Sequence, residues 1–183
     1  MKFIRSLLDT PCWRVHHHAM LGLDLSFGSP HLEVHDPRES KSKKKSIREL
    51  FARRRVYVKA SCWLWIRCAR WTITLADGRR ATWSTSARKR QAVLTSLEGE
   101  KVVRVVIEPE TGRTTFLFDL GGLLKVERFR KVSDDTLWTL YKPNRYCFSL
   151  RSDGHYCHAR CSGSKEAWTL VKQRAVLQSS RRT

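Results

Sequence analysis

The sequence predicts an α+β protein built mainly of antiparallel strands, and three observations predict it. Short apolar runs alternate with polar residues at a period of two, most clearly in Trp71-Thr72-Ile73-Thr74-Leu75. Tight-turn signals such as Asp77-Gly78 and Pro109-Glu110-Thr111-Gly112 separate these runs. Sustained helical periodicity is confined to a linking segment near 86–97 and a C-terminal segment near 166–177.

The first unit is residues 1–37. Cys12-Trp13-Arg14-Val15 reads as a short strand, and His16-His17-His18 as an exposed or edge segment, since adjacent imidazoles on a strand point to opposite faces. Gly22 to Asp36 reads as a hairpin: Leu23, Leu25 and Phe27 alternate with Asp24 and Ser26, Gly28-Ser29-Pro30 turns, and Leu32 and Val34 return. Residues 38–55 form a basic insertion. Its Lys/Ser-rich half is a loop, and Ser46-Ile47-Arg48-Glu49 has the form of a capping box for a two-turn helix lined by Ile47, Leu50 and Phe51.

Residues 56–160 complete the β-rich domain. Val56 and Val58 alternate. Cys62-Trp63-Leu64-Trp65-Ile66 is apolar on both faces and reads as a buried strand, so most of its tryptophans are expected in the core. Arg70 to Trp83 forms a hairpin about Asp77-Gly78. Ser84-Thr85-Ser86 offers caps for the helix of 86–97, whose buried stripe is Val93, Leu94 and Leu97 with the stem of Arg90, and Gly99 stops it. Lys101 to Asp119 forms the clearest hairpin, followed by strands at Leu123–Phe129, Leu137–Tyr141 and Arg145–Leu150, with a last short one near Tyr156. Ser162-Gly163-Ser164 is a linker, and 161–183 is expected to be a basic C-terminal helix and frayed tail.

Two segments read alike. Leu25-x-Phe27-Gly28 with Leu32-x-Val34 parallels Phe118-x-Leu120-Gly121 with Leu124-x-Val126; each precedes a Trp-led strand (Trp71, Trp138) and then an Asp-Gly turn (Asp77-Gly78, Asp153-Gly154). Two related β-meander halves joined by the 86–97 helix are the expectation, set against the tendency of any β protein to repeat such patterns.

Leu23 to Val34, Trp63-Leu64-Trp65-Ile66, Leu97 to Val102, Phe118 to Gly122 and Asp153-Gly154-His155-Tyr156 together resemble a group of small uncharacterised bacterial proteins, over roughly residues 13–160. The resemblance implies a β-rich fold and brings no catalytic motif and no assigned activity. The Lys-rich insertion and the basic tail depart from it.

Length and composition bound the rest. A chain of 183 residues with 41% apolar residues, seven Trp and seven Phe is globular and fits one domain or two half-domains. No apolar run approaches the ~20 residues of a membrane span. The opening MKFIRSLLDTPCW is too short and too charged for a secretory leader, so a cytoplasmic location without membrane partner is expected, with all six cysteines reduced.

The net charge is +19, and 17 of those charges fall in three segments: 38–55 (+7), 79–90 (+5) and 160–183 (+5). A near-neutral body with three basic appendages follows. Candidate nucleic-acid contacts are Lys43, Lys44, Lys45, Arg48, Arg53, Arg54, Arg55, Arg79, Arg80, Arg88, Lys89 and Arg90, with the C-terminal tail. Arg88 to Arg90 sit where the helix dipole disfavours cations, which points to a contact.

Other chemistry is thinner. His155, Cys157, His158 and Cys161, joined by Cys62 and Cys68 at most, form the best zinc candidate, without a Cys-x-x-Cys knuckle; no cofactor is otherwise expected. Cys147, Cys157 or Cys161 with His155 or His158 lacks a frame for nucleophilic catalysis. Asp24, Asp36, Asp119, Asp134, Asp135 and Asp153 read as turn residues. Gly121-Gly122 lacks the helix start of a phosphate loop. The expected function is therefore non-enzymatic binding: a protein-interaction module of immunity-like type acting through a sheet face or edge, or alternatively a nucleic-acid binder using 41–55, 79–90 and the tail.

Overall fold

A computed structural model describes residues 3–18, 22–129, 135–143, 145–161 and 167–179. Asp134, Asn144, the Ser162-Gly163-Ser164 linker and the end of the tail lie outside these. A 3₁₀ turn at Ile4–Leu7 precedes β1 (Cys12–His17), β2 (Leu23–Phe27), β3 (His31–His35), α1 (Lys45–Phe51), β4 (Arg55–Lys59), β5 (Cys62–Ile66), β6 (Ala69–Thr74) and β7 (Arg80–Thr82). After α2 (Ala87–Leu97) come β8 (Val102–Ile107), β9 (Thr114–Phe118), β10 (Leu123–Arg128), β11 (Thr136–Tyr141), β12 (Tyr146–Arg151), β13 (His155–Arg160), β14 (Thr169–Leu170) and β15 (Ala175–Gln178).

The strands form two sheets around one apolar interior, in the orders β1-β2-β5-β11-β12-β13-β14 and β15-β8-β9-β10-β6-β7, with a separate β3-β4 ribbon. Alternation decides which side chains go inside. Leu23, Leu25 and Phe27 of one sheet and Phe116, Leu124 and Ile73 of the other are all buried. The Trp138 indole N–H crosses the interior to the Thr114 hydroxyl at 2.9 Å, and its ring meets Phe116 edge-on. Helix α2 packs on β7 and β1, the outermost strands of the two sheets on that side, through Val93, Leu94 and Leu97. Ile4 and Leu7 are fully buried. Among the described residues no helix is long and apolar enough to cross a membrane.

The mainly antiparallel architecture, the hairpins about Asp77-Gly78 and 109–112, and the α2 helix match the sequence reading. At the 109–112 turn Gly112 has φ +60°, and a Cβ there would clash with the Arg151 carbonyl oxygen. Several expectations are corrected. The Gly22–Asp36 segment is not a hairpin: β2 pairs with β1 and β5, while β3 pairs with β4. Burial selects this register, because β5 offers Leu64 and Ile66 opposite Leu25 and Leu23 on the core side. The C-terminal helix is replaced by β14 and β15, where Leu177 pairs with Val105 and is buried on the sheet edge. Ladder bonds and burial there outweigh helical periodicity. The capping box is not made, since α1 begins at Lys45 and Ser46 lies within its first turn. Asp24 belongs to a strand rather than a turn.

The pairing itself repeats. β1, β2 and β5 run as a meander in one sheet, and the next strand, β6, joins the other; β8, β9 and β10 run as a meander there, and β11 crosses back. The registers coincide residue for residue. Leu25–Leu64–Leu140 matches Phe116–Leu124–Ile73, and Leu23–Ile66–Trp138 matches Thr114–Val126–Trp71. Even the register shift between Cys12 and Arg14 recurs between Val102 and Arg104. In this correspondence Trp71 matches Trp138, whereas Phe27 matches Phe118, so the Gly28/Gly121 alignment read from sequence is displaced. The two Asp-Gly turns do not coincide, because one joins β6 to β7 and the other β12 to β13.

Candidate binding groove

The β5 strand was expected to be buried on both faces. Cys62, Leu64 and Ile66 are buried, but Trp63 is 36% exposed and Trp65 half-buried, both on the outward face of the seven-stranded sheet. Cross-strand register then places Tyr141 opposite Trp63, and Ser26 on its other side. The three rings gather into one outward cluster. Trp63 lies 4.8 Å from Tyr141 and 5.7 Å from Trp65, with planes inclined by 25° and 13°. The Arg67 guanidinium covers Trp65 at 4.3 Å. Partial burial raises the Tyr141 hydroxyl pKa, so it stays a neutral donor at physiological pH.

Beside this cluster runs a groove of about 580 Å³ between the sheet and the β3-β4 ribbon. Its sheet wall carries Arg14, His16, His18, Asp24, Ser26, Trp63, Tyr141 and Lys142, and the ribbon wall carries His31, Glu33, Val58 and Lys59. His18 pairs with Asp24, and the His16 ring stands edge-on to His18 at 4.6 Å. Despite the cost of lost water, Lys59 and then His35 hold the Glu33 carboxyl below the usual carboxylate range, at 3.5 and 3.0 Å. Both acids in the walls thus have partners. Arg14 and Lys142 have no ion pair among the described residues, and Lys142 rests over the Phe3 ring at 4.2 Å. The groove keeps a cationic excess beside aromatic rings. His17, the middle imidazole, turns inward to Trp71 at 5.7 Å; burial, then Arg90, keeps it neutral by lowering its pKa.

The cations singled out from sequence lie elsewhere. Lys43, Lys44, Lys45, Arg48, Arg53, Arg54 and Arg55 sit on or beside α1 at the far end of the ribbon. Arg79 and Arg80 lie at the β6–β7 turn, and Arg88, Lys89 and Arg90 in the first turn of α2. Several are already engaged. Arg48 donates to the Ser42 and Lys43 carbonyls, Arg54 to Asp36 at 2.8 Å, Arg79 to Asp77 at 2.6 Å and Arg90 to the Thr85 carbonyl. Among the described residues no hydrogen bond or ion pair joins one basic segment to another. Among the described residues only 38–55 stands off as an appendage, since α2 and β15 are built into the sandwich.

The zinc candidates are not brought together. His158 follows Cys157 directly on β13, so the two point to opposite sides; Cys157 is buried, and the His158 ring lies 4.6 Å from Phe3. His155 sits 3.2 Å from Asp153, and Cys161 is exposed beyond the strand end. Among the described residues no three His, Cys, Asp or Glu side chains are arranged to hold a metal ion. Cys62 is buried and Cys68 exposed, and all six cysteines are free thiols. Burial pushes the Cys12 thiol up to about 12, and the Cys147 thiol points at the Ala159 carbonyl rather than at a histidine.

Arg14, His16, His31, Trp63, Trp65, Arg67, Tyr141 and Lys142 were not predicted as site residues. The signal for two of them was present, because Leu64 and Ile66 pointing inward require Trp63 and Trp65 to point outward. Recruiting Tyr141 and Arg14 needs the strand order. No family model, no curated protein and no solved structure matches this chain.

Proposed function

We propose that the protein is a non-enzymatic binding protein whose groove takes single-stranded nucleic acid. One observation carries this reading. Trp63, Trp65 and Tyr141 occupy outward positions whose counterparts in the repeated register are Leu123, Lys125 and Thr74. The same backbone arrangement is therefore built without aromatic residues there, and folding does not require them. Aromatic side chains on an outward sheet face contribute about 1–3 kcal/mol per stacked base, with little dependence on sequence. Arg14, Arg67 and Lys142 supply phosphate partners alongside, and Lys43, Lys44 and Arg53 extend the positive potential along the ribbon.

The repeated register also supports descent of the two meanders from one duplicated unit, and six free thiols fit a cytoplasmic setting. The interaction-module reading is favoured by a different feature, the exposed aliphatic side of the ribbon.

The test is fluorescence anisotropy with labelled oligo(dT) and oligo(U) at two salt concentrations. Binding in the range of about 1–100 µM near 50 mM salt, weakening at least tenfold near 200 mM, is expected. Affinity that is absent at low salt, or insensitive to Trp63→Leu, overturns the reading.

A further inference from the structure

The β3-β4 ribbon has two unlike sides. Leu32 pairs across with Val58 and Val34 with Val56, so all four share one face. Their exposures are 67%, 51%, 54% and 54%. The opposite face is zipped by polar contacts: Glu33 to Lys59 and His35, and the Arg55 guanidinium to the Tyr57 hydroxyl at 2.9 Å. That side lines the groove. Of the aliphatic four only Val58 also borders the groove, and Leu32, Val34 and Val56 belong to neither of its walls. An isolated two-stranded ribbon is marginal in water, and four aliphatic side chains left in solvent raise its cost.

The ribbon also keeps two open edges. Each of its strands has a single neighbour, and among the described residues no loop backbone pairs with either outer edge. At its far end residues 38–55 carry nine Lys or Arg against two Glu. Glu49 and Asp36 are taken by Lys45 and Arg54, while Lys43, Lys44 and Arg53 have no ion pair among the described residues. α1 adds a half-exposed Leu50 and buries nothing.

We propose that the ribbon docks an acidic protein segment, which adds as a β-strand to an open edge. Its aliphatic residues extend the Leu32–Val34–Val56–Val58 face, and its carboxylates meet the cations of 38–55. Charge complementarity and open edges choose this occupant together. A second copy of the chain brings the same +7 segment and repels. Nucleic acid satisfies the cations but neither the aliphatic face nor the backbone edge. An anionic lipid surface satisfies cations and aliphatic face but leaves strand N–H and C=O groups without partners. A strand satisfies all three. The proposal does not rest on the groove, to which only Val58 of this face contributes.

The test uses the full chain and a fluorescein-labelled peptide alternating valine and glutamate. A Kd tighter than about 100 µM is expected. A peptide of the same composition with valines and glutamates in separate blocks, and one with backbone N-methylation on alternate residues, bind at least about tenfold weaker. Val34→Thr with Val56→Thr, which removes aliphatic surface without adding charge, weakens binding by a similar factor, as does Lys43→Glu with Lys44→Glu. Both pairs leave the melting temperature unchanged, because the positions are exposed. No binding near 1 mM peptide, equal binding of the block peptide, or indifference to the Val34/Val56 substitutions overturns the proposal. So does a concentration-dependent dimer in sedimentation velocity, or uptake by phosphatidylserine vesicles or oligonucleotides, that is lost on those same substitutions.

Discussion

The two meanders share a register and an inner row but not an outer one. Inside, Leu64, Leu140 and Trp138 answer to Leu124, Ile73 and Trp71, and all six are buried. Outside, Trp63, Trp65 and Tyr141 answer to Leu123, Lys125 and Thr74. Packing dictates the inner row in both places. The repeated backbone is built with either outer row, and the nucleic-acid contact proposed above is one account of why the two rows differ.

The sharpest way to break this comparison is to treat inner and outer tryptophans alike. Trp138→Ala or Trp71→Ala is expected to cost about 3–5 kcal/mol in urea unfolding, as for other large buried aromatics. Trp63→Ala should stay within about 1 kcal/mol, since a third of its surface already faces water. Equal costs would mean that the outer ring is structural after all.

The next effect is on binding. Giving the aromatic face the residues of its counterpart, Trp63→Leu, Trp65→Lys and Tyr141→Thr together, should weaken oligonucleotide binding by about 2 kcal/mol or more while the chain still folds. Lys125→Gln on the other face should change affinity less than twofold. A large loss from Lys125→Gln and none from the triple change would move the site to the six-stranded sheet.

A smaller difference tests the correspondence inside the core. The Trp138 N–H has the Thr114 hydroxyl, but the position matching Thr114 is Leu23, and the buried Trp71 N–H has no partner among the described residues. Trp138→Phe should therefore cost about 1 kcal/mol more than Trp71→Phe, because only the first breaks a buried hydrogen bond. Differential unfolding of the two variants measures it.

The smallest effect concerns the ends of the meanders. After β9 the chain turns back at once, with the Gly122 N–H donating to the Glu100 carboxylate at 2.9 Å; after β2 it leaves as the ribbon. Burial raises the Glu100 pKa, the Gly122 bond only partly opposing it. The ionised form is thus disfavoured by folding, and stability contributed by the neutral form is lost as pH rises through that raised pKa. Glu100→Gln should leave the melting temperature unchanged at acid pH and raise it at neutral pH. A drop at neutral pH would show that the charged hydrogen bond outweighs desolvation.

How much of this was legible beforehand differs by element. The hairpin at Asp77-Gly78, helix α2 and its Val93, Leu94 and Leu97 stripe depend on turn chemistry and local periodicity, and they were readable. The C-terminal strand was not. Val176 and Leu177 suit a helix face or a sheet edge equally, and only Val105 waiting opposite decides. The groove was half readable: Trp63 and Trp65 follow from alternation, but their company depends on Tyr141 and Arg14, far away in the chain.

By itself the sequence determined a β-rich chain, its tight turns, its linking helix and the clustering of charge at 38–55, because those are set by neighbours within a few residues. Only the tertiary structure decided that β3 leaves β2 for β4, that two tryptophans face out beside a cationic groove, and that no hydrogen bond or ion pair joins one basic segment to another among the described residues. Each of these depends on which strands share a ladder, and that choice is made by burying the inner rows of distant strands against one another.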